Sequence, residues 1–146
     1  MTMIIEYTTV APAKDHYFTL FETTGWNREF LVSPDDLAMA VANSQYVVAA
    51  YDGEKLIGFG RVVTDGVLHA MLYDMIVHPD YQGRGIGTTI LGMLVKWCNE
   101  AHIRDIQLFC ARGKSAFYGK SGFNPRPGDA PGMSYMRQKG ALKPRR

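Results

Sequence analysis

The sequence predicts an α/β domain built on a central mixed β-sheet with helices on both faces. Three observations predict it. Asp52-Gly53 and Asp65-Gly66 divide residues 46–77 into three largely apolar runs, the pattern of an antiparallel meander. A helical pattern and then another strand pattern follow, and a strand, helix and strand in that order form a right-handed parallel crossover. Two more helical patterns precede the meander, so helices are available for the second face.

Taken in order, Ile4 to Thr8 is a short strand. Lys14 to Thr24 carries Tyr17, Phe18, Leu20 and Phe21 as a helical stripe, closed by Gly25. Ser33 caps the next helix, with Pro34 at its first position and Asp35 and Asp36 in its first turn, where the helix dipole favours acids. That helix reaches about Asn43. Strands are predicted over Tyr46 to Tyr51, Leu56 to Val63 and Val67 to Val77. The third is apolar nearly throughout, as a strand covered on both faces would be. In the helix Gly87 to Ala101, the residues Ile90, Leu91, Leu94 and Cys98 form a buried stripe with Ile86 just before it. Ile106 to Ala111 is the parallel strand and Lys114 to Lys120 a short helix ended by Gly122. Phe123 and Ser134 to Arg137 are expected to add late strands, separated by the loop PRPGDAPG.

Length and composition fit one domain over residues 1–146, with no repeat and no linker tract. A net charge of +2 gives no broad basic face for nucleic acid. The basic excess lies partly in residues 139–146, expected to be a flexible tail. No apolar run has the length of a membrane span, and the first residues lack the pattern of a secretory signal. The two cysteines, Cys98 and Cys110, suggest no disulfide framework, so the expected compartment is the cytoplasm.

The most informative stretch is HPDYQGRGIG, His78 to Gly87. It leaves a strand and enters a helix. Such a junction presents free main-chain N–H groups and the positive end of the helix dipole. Gly83, Gly85 and Gly87 remove the Cβ atoms that would hold a ligand off and permit positive φ, and Arg84 adds a charge. Together they predict a cradle for phosphate oxygens. Two familiar phosphate loops do not fit. A dinucleotide fingerprint requires glycine where Thr88 stands, and a triphosphate loop ending in Gly113-Lys114-Ser115 requires glycine where Leu108 stands.

V-x-P-x-x-Q-x-x-G-x-G, here Val77 to Gly87, resembles the acyl-coenzyme-A-binding motif of the GCN5-related N-acetyltransferase (GNAT) family. AFYGKSGF, Ala116 to Phe123, is similar to that family's closing helix with its tyrosine, and the order of elements from Tyr46 to Phe123 matches too. The resemblance implies a sheet that splays between the strand ending at Val77 and the strand Ile106 to Ala111. It implies that acetyl-coenzyme A lies in the split, its pantetheine arm on main-chain groups of Met75, Ile76 and Val77. Its pyrophosphate would rest on Gln82, Gly83, Arg84, Gly85, Ile86, Gly87 and Thr88. It implies an N-acetyltransferase acting on a primary amine without a metal, and makes a homodimer plausible. A small-molecule amine is the expected acceptor. A sensor that binds acyl-coenzyme A without turnover and a protein or peptide acetyltransferase are the alternatives.

Transfer from a thioester to an amine needs a neutral amine, donors for the oxyanion, and a proton for the departing thiolate. The resemblance gives the oxyanion contact to the main-chain N–H near Ile76 and places Tyr118 beside the sulfur. A phenol with an ordinary pKa near ~10 is protonated at neutral pH and can serve as the acid. Asp74 lies in the apolar run LYDMIV, so it needs a partner or a function. It is either the base or half of an ion pair with Arg61 or Arg112. His69 ranks below Asp74 as a base, because it is close to the turn at Asp65-Gly66. His78 reads as a turn or packing residue and Lys120 as a solvated lysine. Cys98 and His102, four apart on one helix, are two potential ligands without a third. Cys110 is expected to pack within its apolar strand. Trp26, Phe30, Tyr73 and the loop PRPGDAPGM are candidates for the acceptor wall.

Overall fold

The computed structural model describes residues 3–145. The order is β1 (Ile5–Thr8), α1 (Lys14–Glu22), α2 (Asn27–Phe30), α3 (Pro34–Ala42), β2 (Tyr46–Asp52), β3 (Lys55–Thr64) and β4 (His69–Val77). A 3-10 turn (Pro79–Tyr81), α4 (Ile86–Glu100), β5 (Asp105–Leu108) and α5 (Ser115–Gly119) follow. The sheet order is β1-β2-β3-β4-β5, antiparallel except for the parallel pair β4–β5. This is the mixed sheet expected from the meander and the crossover.

Two apolar layers cover the sheet. On one face α4 lays Ile86, Ile90, Leu91, Leu94 and Cys98 against Val48, Ile57, Val62, Ala70 and Leu72. On the other, Tyr17, Leu20 and Phe21 of α1 and Leu37 and Val41 of α3 meet Val47, Phe59 and Ile76. Burial of these side chains, worth roughly 1.5–3 kcal/mol for each large one, holds the layers together. The close approach of α4 depends on Gly60, where a Cβ would lie 2.9 Å from Ile90, Leu94 and Met75 side-chain atoms. Ser33 caps α3 reciprocally: its hydroxyl accepts from the Asp36 N–H and the Asp36 carboxylate accepts from its own N–H.

The structure corrects the C-terminal third. Neither Phe123 nor Ser134 to Arg137 is in a strand. Pro125, Pro127 and Pro131 offer no N–H to a ladder. Between them the chain folds on itself, with Ala130 N–H on Pro127 O and Arg126 Nε on Ala130 O. The strand expected to reach Ala111 ends at Leu108, and the one expected from Val67 begins at His69. A short helix, α2, lies between the two expected N-terminal helices. Beyond the turn at Lys139 and Gly140, Arg145 Nε reaches Asp36 Oδ1 at 3.1 Å. Among the described residues no helix is long and apolar enough to cross a membrane.

Candidate active site

The site forms where the sheet opens. β4 and β5 pair only from His69–Asp105 to Leu72–Leu108. β4 continues to Val77 with no partner on that side among the described residues, so its main-chain groups from Tyr73 onward face a gap. Unpaired strand groups demand hydrogen-bond partners, which an extended ligand can supply.

A bulge shapes the same strand. Phe59 pairs with Ile76 but Arg61 pairs with Tyr73, so Gly60 faces both Asp74 and Met75. Asp74 takes φ +55°, a left-handed conformation that Asp tolerates better than most residues. Arg61 Nε donates to its Oδ2 at 2.7 Å, and Arg61 Nη1 donates to Ser44 Oγ at 3.2 Å and Ala40 O at 3.4 Å. The bulge is thereby tied to the end of α3. Both charged side chains are mostly buried, 16% and 21% exposed. Of the two partners the sequence offered Asp74, Arg61 is the one in contact.

The end of β4 leads into the glycine loop. Asp80 N–H bonds to His78 Nδ1, so His78 caps the 3-10 turn, and Gln82 Nε2 donates to Val77 O. Gly83 and Gly85 have φ of +77° and +81°, and open space lies where a Cβ would stand. Gly85 is the N-cap of α4, whose first helical bond runs from Thr89 N–H to Gly85 O. The N–H groups of Ile86, Gly87 and Thr88 come before that bond and are available to a ligand. Gly87 has a different task. A Cβ there would approach the Phe117 ring to 3.2 Å, so glycine lets α5 close against the start of α4.

A cleft of about 400 Å³ runs from this loop to α5. Met75, Val77, Gln82, Gly83, Gly85, Ile86, Gly87 and Thr88 line it, together with Tyr118. Two residues in the expected set do not. Ile76 is 3% exposed and packs in the α1 layer, so only its main chain could serve. Arg84 sits over the Tyr81 ring at 5.4 Å. Sequence reasoning missed Tyr81, Ala111, Lys114 and Phe117 as lining residues. Lys114 was visible only as a helix start and inside a rejected triphosphate motif, yet it is the charged side chain of this cleft. Asp74 lines neither this cleft nor the groove of about 570 Å³ that runs along β5.

Tyr118 stands where the cleft and the groove meet. Its ring is held by Phe117 and Phe123 at centroid distances of 5.0 and 6.3 Å. Burial, and secondarily the charge of Cys110, push its phenol above the usual tyrosine range. It therefore stays protonated at neutral pH. Cys110 is exposed beyond the end of β5, which corrects the packing role expected of it. Cys98 is fully buried while His102 is exposed past the end of α4, so the two do not form a shared ligand pair. His69 bonds Asp105 at 3.2 Å at the far end of β4. Among the acceptor-wall candidates, Trp26 packs edge-on to Phe21 and the Tyr73 ring carries Arg61 at 5.4 Å.

The profile of the acetyltransferase (GNAT) family matches residues 11–123. The chain belongs to the GNAT acetyltransferase family. Its relatives include an uncharacterized N-acetyltransferase of Pyropia yezoensis, 30% identical over 118 residues, 78% of this chain and 66% of the relative. A Glycine max protein called histone acetyltransferase TAP1 is 31% identical over 126 residues, 78% of this chain and 53% of the relative. The chain thus spans about half to two thirds of the length of the curated relatives it matches. Among solved structures, a probable acetyltransferase from Staphylococcus aureus superposes with a TM-score of 0.81 at 25% identity, covering 92% of this chain and 100% of that one.

Proposed function

We propose that this GNAT domain transfers the acetyl group of acetyl-coenzyme A to the primary amine of a small molecule. The observation that carries the reading is the continuous path from the free N–H groups at the start of α4, past the unpaired edge of β4, to Tyr118. Coenzyme A fits these residues: open φ-positive glycines and a helix N-terminus suit a pyrophosphate, Lys114 adds positive charge, and the strand edge suits an amide-bearing arm. The bound thioester supplies an activated acetyl group.

The chain's own residues do the rest. The N–H groups of Ile86, Gly87 and Thr88 hold phosphate oxygens. Main-chain groups of Met75, Ile76 and Val77 align the arm, and the bulge sets their direction. Tyr118 gives its phenolic proton to the departing sulfur. Asp74 is bonded to Arg61 and lines neither the cleft nor the groove, so we assign it to holding the bulge. The acceptor gives up its ammonium proton to solvent before it attacks as the neutral amine, the proton that its nitrogen sheds after attack also leaves to solvent, and solvent returns a proton to the Tyr118 phenolate.

The limited room of a 400 Å³ cleft supports a small acceptor. A lysine side chain is an equally slender amine. A relative called a histone acetyltransferase favours protein acceptors as the second reading. The test is release of free thiol from acetyl-coenzyme A with a panel of polyamines, amino sugars, arylalkylamines and lysine peptides. Turnover with small amines supports the first reading and turnover with peptides alone the second. Cofactor binding without turnover on any member would make the domain a sensor.

A further inference from the structure

We propose that Lys55 and Arg84, gathered on the Tyr81 ring, form a phosphomonoester site that reads the 3′-phosphate of coenzyme A and so separates it from dephospho-coenzyme A. The inference rests on the coenzyme A reading of the cleft and extends it to residues outside the cleft.

Arg84 belongs to the glycine loop, yet its side chain lies over the Tyr81 ring and lines no part of the cleft. Lys55, at the start of β3, lies over the same ring. Its Nζ is 5.5 Å from the ring centroid, and the Arg84 guanidinium carbon is 5.4 Å from it. The sheet register brings the two together. Gly58 pairs with Val77, and the His78 N–H bonds Ile57 O at 2.8 Å, so the start of β3 runs beside the end of β4. No motif marks Lys55; only the fold carries it to the loop.

The ring is a fixed platform. Tyr81 ends the 3-10 turn, its hydroxyl donates to Asp52 Oδ2 at 2.5 Å, and the His78 ring meets it edge-on at 5.8 Å. Its face attracts cations and narrows the sweep of two long side chains. Both cations are exposed, and among the described residues neither takes part in an ion pair. Arg84 makes one side-chain bond there, to Met3 Sδ at 3.6 Å. The neighbouring acids are engaged elsewhere, Asp52 by Tyr81 and Asp80 beside His78 at 3.9 Å. Each cation lies within 5.5 Å of one centroid, so the two are no more than twice that apart, near the screening length of about 8–10 Å. They repel each other, and a dianion accepted by both relieves the repulsion.

Coenzyme A carries such a group. Two of its phosphates form the pyrophosphate, for which the start of α4 and Lys114 suffice. The third is a monoester on the ribose, which a single methylene joins to the pyrophosphate, so it comes to rest beside the loop and off the path of the pantetheine arm. Tyr81 lines the cleft and also carries both cations, which connects the two sites. A lysine point charge and a planar guanidinium fork suit the oxygens of a phosphate monoester.

The test is the calorimetric Kd of coenzyme A and of dephospho-coenzyme A, which differ only in that phosphate. The proteins are the wild type, Lys55→Gln, Lys55→Gln with Arg84→Gln, and Lys120→Gln, each checked for unchanged circular dichroism. The wild type should prefer coenzyme A by about tenfold, Lys55→Gln by roughly threefold, and the double variant should show almost no preference. Affinity for dephospho-coenzyme A should stay within about twofold in all four proteins. Added salt should shrink the wild-type preference, because both cations are exposed. Lys120, past the end of α5, should have no effect on it. A wild type that binds both compounds equally overturns the proposal and leaves the acyl-transfer reading standing. A preference that survives the double substitution, or that Lys120→Gln abolishes, also overturns it. A protein that binds neither compound overturns it together with the coenzyme A reading.

Discussion

Arg61 Nε meets Asp74 Oδ2 at 2.7 Å across the β4 bulge, linking the one residue of that strand with positive φ to the end of α3. The pair therefore fixes the direction in which β4 presents its free edge to the cleft. A charge-assisted bond in a mostly buried setting has a cost if only half is removed. Asp74→Asn should lower stability by about 2 kcal/mol in denaturant unfolding. A double-mutant cycle with Arg61→Gln should return a coupling of about 1–3 kcal/mol. A variant that keeps its stability but loses turnover would restore Asp74 as the base.

Gly85→Val should weaken binding of acetyl-coenzyme A, measured by calorimetry, at least about tenfold. No atom stands near the absent Cβ, so the penalty is conformational: a β-branched residue at φ +81° costs roughly 1–2 kcal/mol and turns the loop. Gly85→Asn should bind more tightly than Gly85→Val, because Asn enters the left-handed region more readily. Equal affinities for all three proteins would remove the loop conformation from the account.

Tyr17 makes an independent prediction about stability. Its hydroxyl is buried and meets no partner at full hydrogen-bond geometry among the described residues, although Asp74 lies near enough to act on it both by charge and as a weak hydrogen-bond acceptor, and Arg61 by charge. Burial first, and the Asp74 charge second, raise its pKa far above the ordinary value. The folded state thus holds the proton more tightly than the unfolded state. The stability tied to that proton is complete below about pH 10 and is lost as pH rises toward the folded pKa. Tyr17→Phe should be neutral or stabilising at pH 7 and should flatten the alkaline loss of melting temperature. Marked destabilisation at pH 7 would mean that the hydroxyl has a partner.

Much of this was legible from residue patterns. The α4 stripe, the Ser33 cap and the two Asp-Gly turns act locally, and local signals survive into the fold. The glycine loop was legible as well, because its geometry is set by residues adjacent in sequence. The bulge was not. Nothing in LYDMIV says that Gly60, in another strand, will face two residues in place of one. Nor could the sequence separate the roles of the glycines, since that of Gly87 depends on Phe117, thirty positions away. The late strands failed for a related reason: an extended apolar segment reads as a strand whether or not its own chain supplies the partner.

The most direct test of the account is kcat for Tyr118→Phe with a good acceptor. The substitution removes one hydroxyl and keeps the ring between Phe117 and Phe123, so the fold should be preserved. If the phenol protonates the departing sulfur, kcat should fall roughly 10²–10⁴-fold with little change in KM. Because burial raises the phenol's pKa, the wild-type rate should decline only at pH above the ordinary tyrosine value, as the proton is lost. The variant should lack that decline. A Tyr118→Phe protein with wild-type kcat would contradict the account and leave Tyr118 as a packing residue.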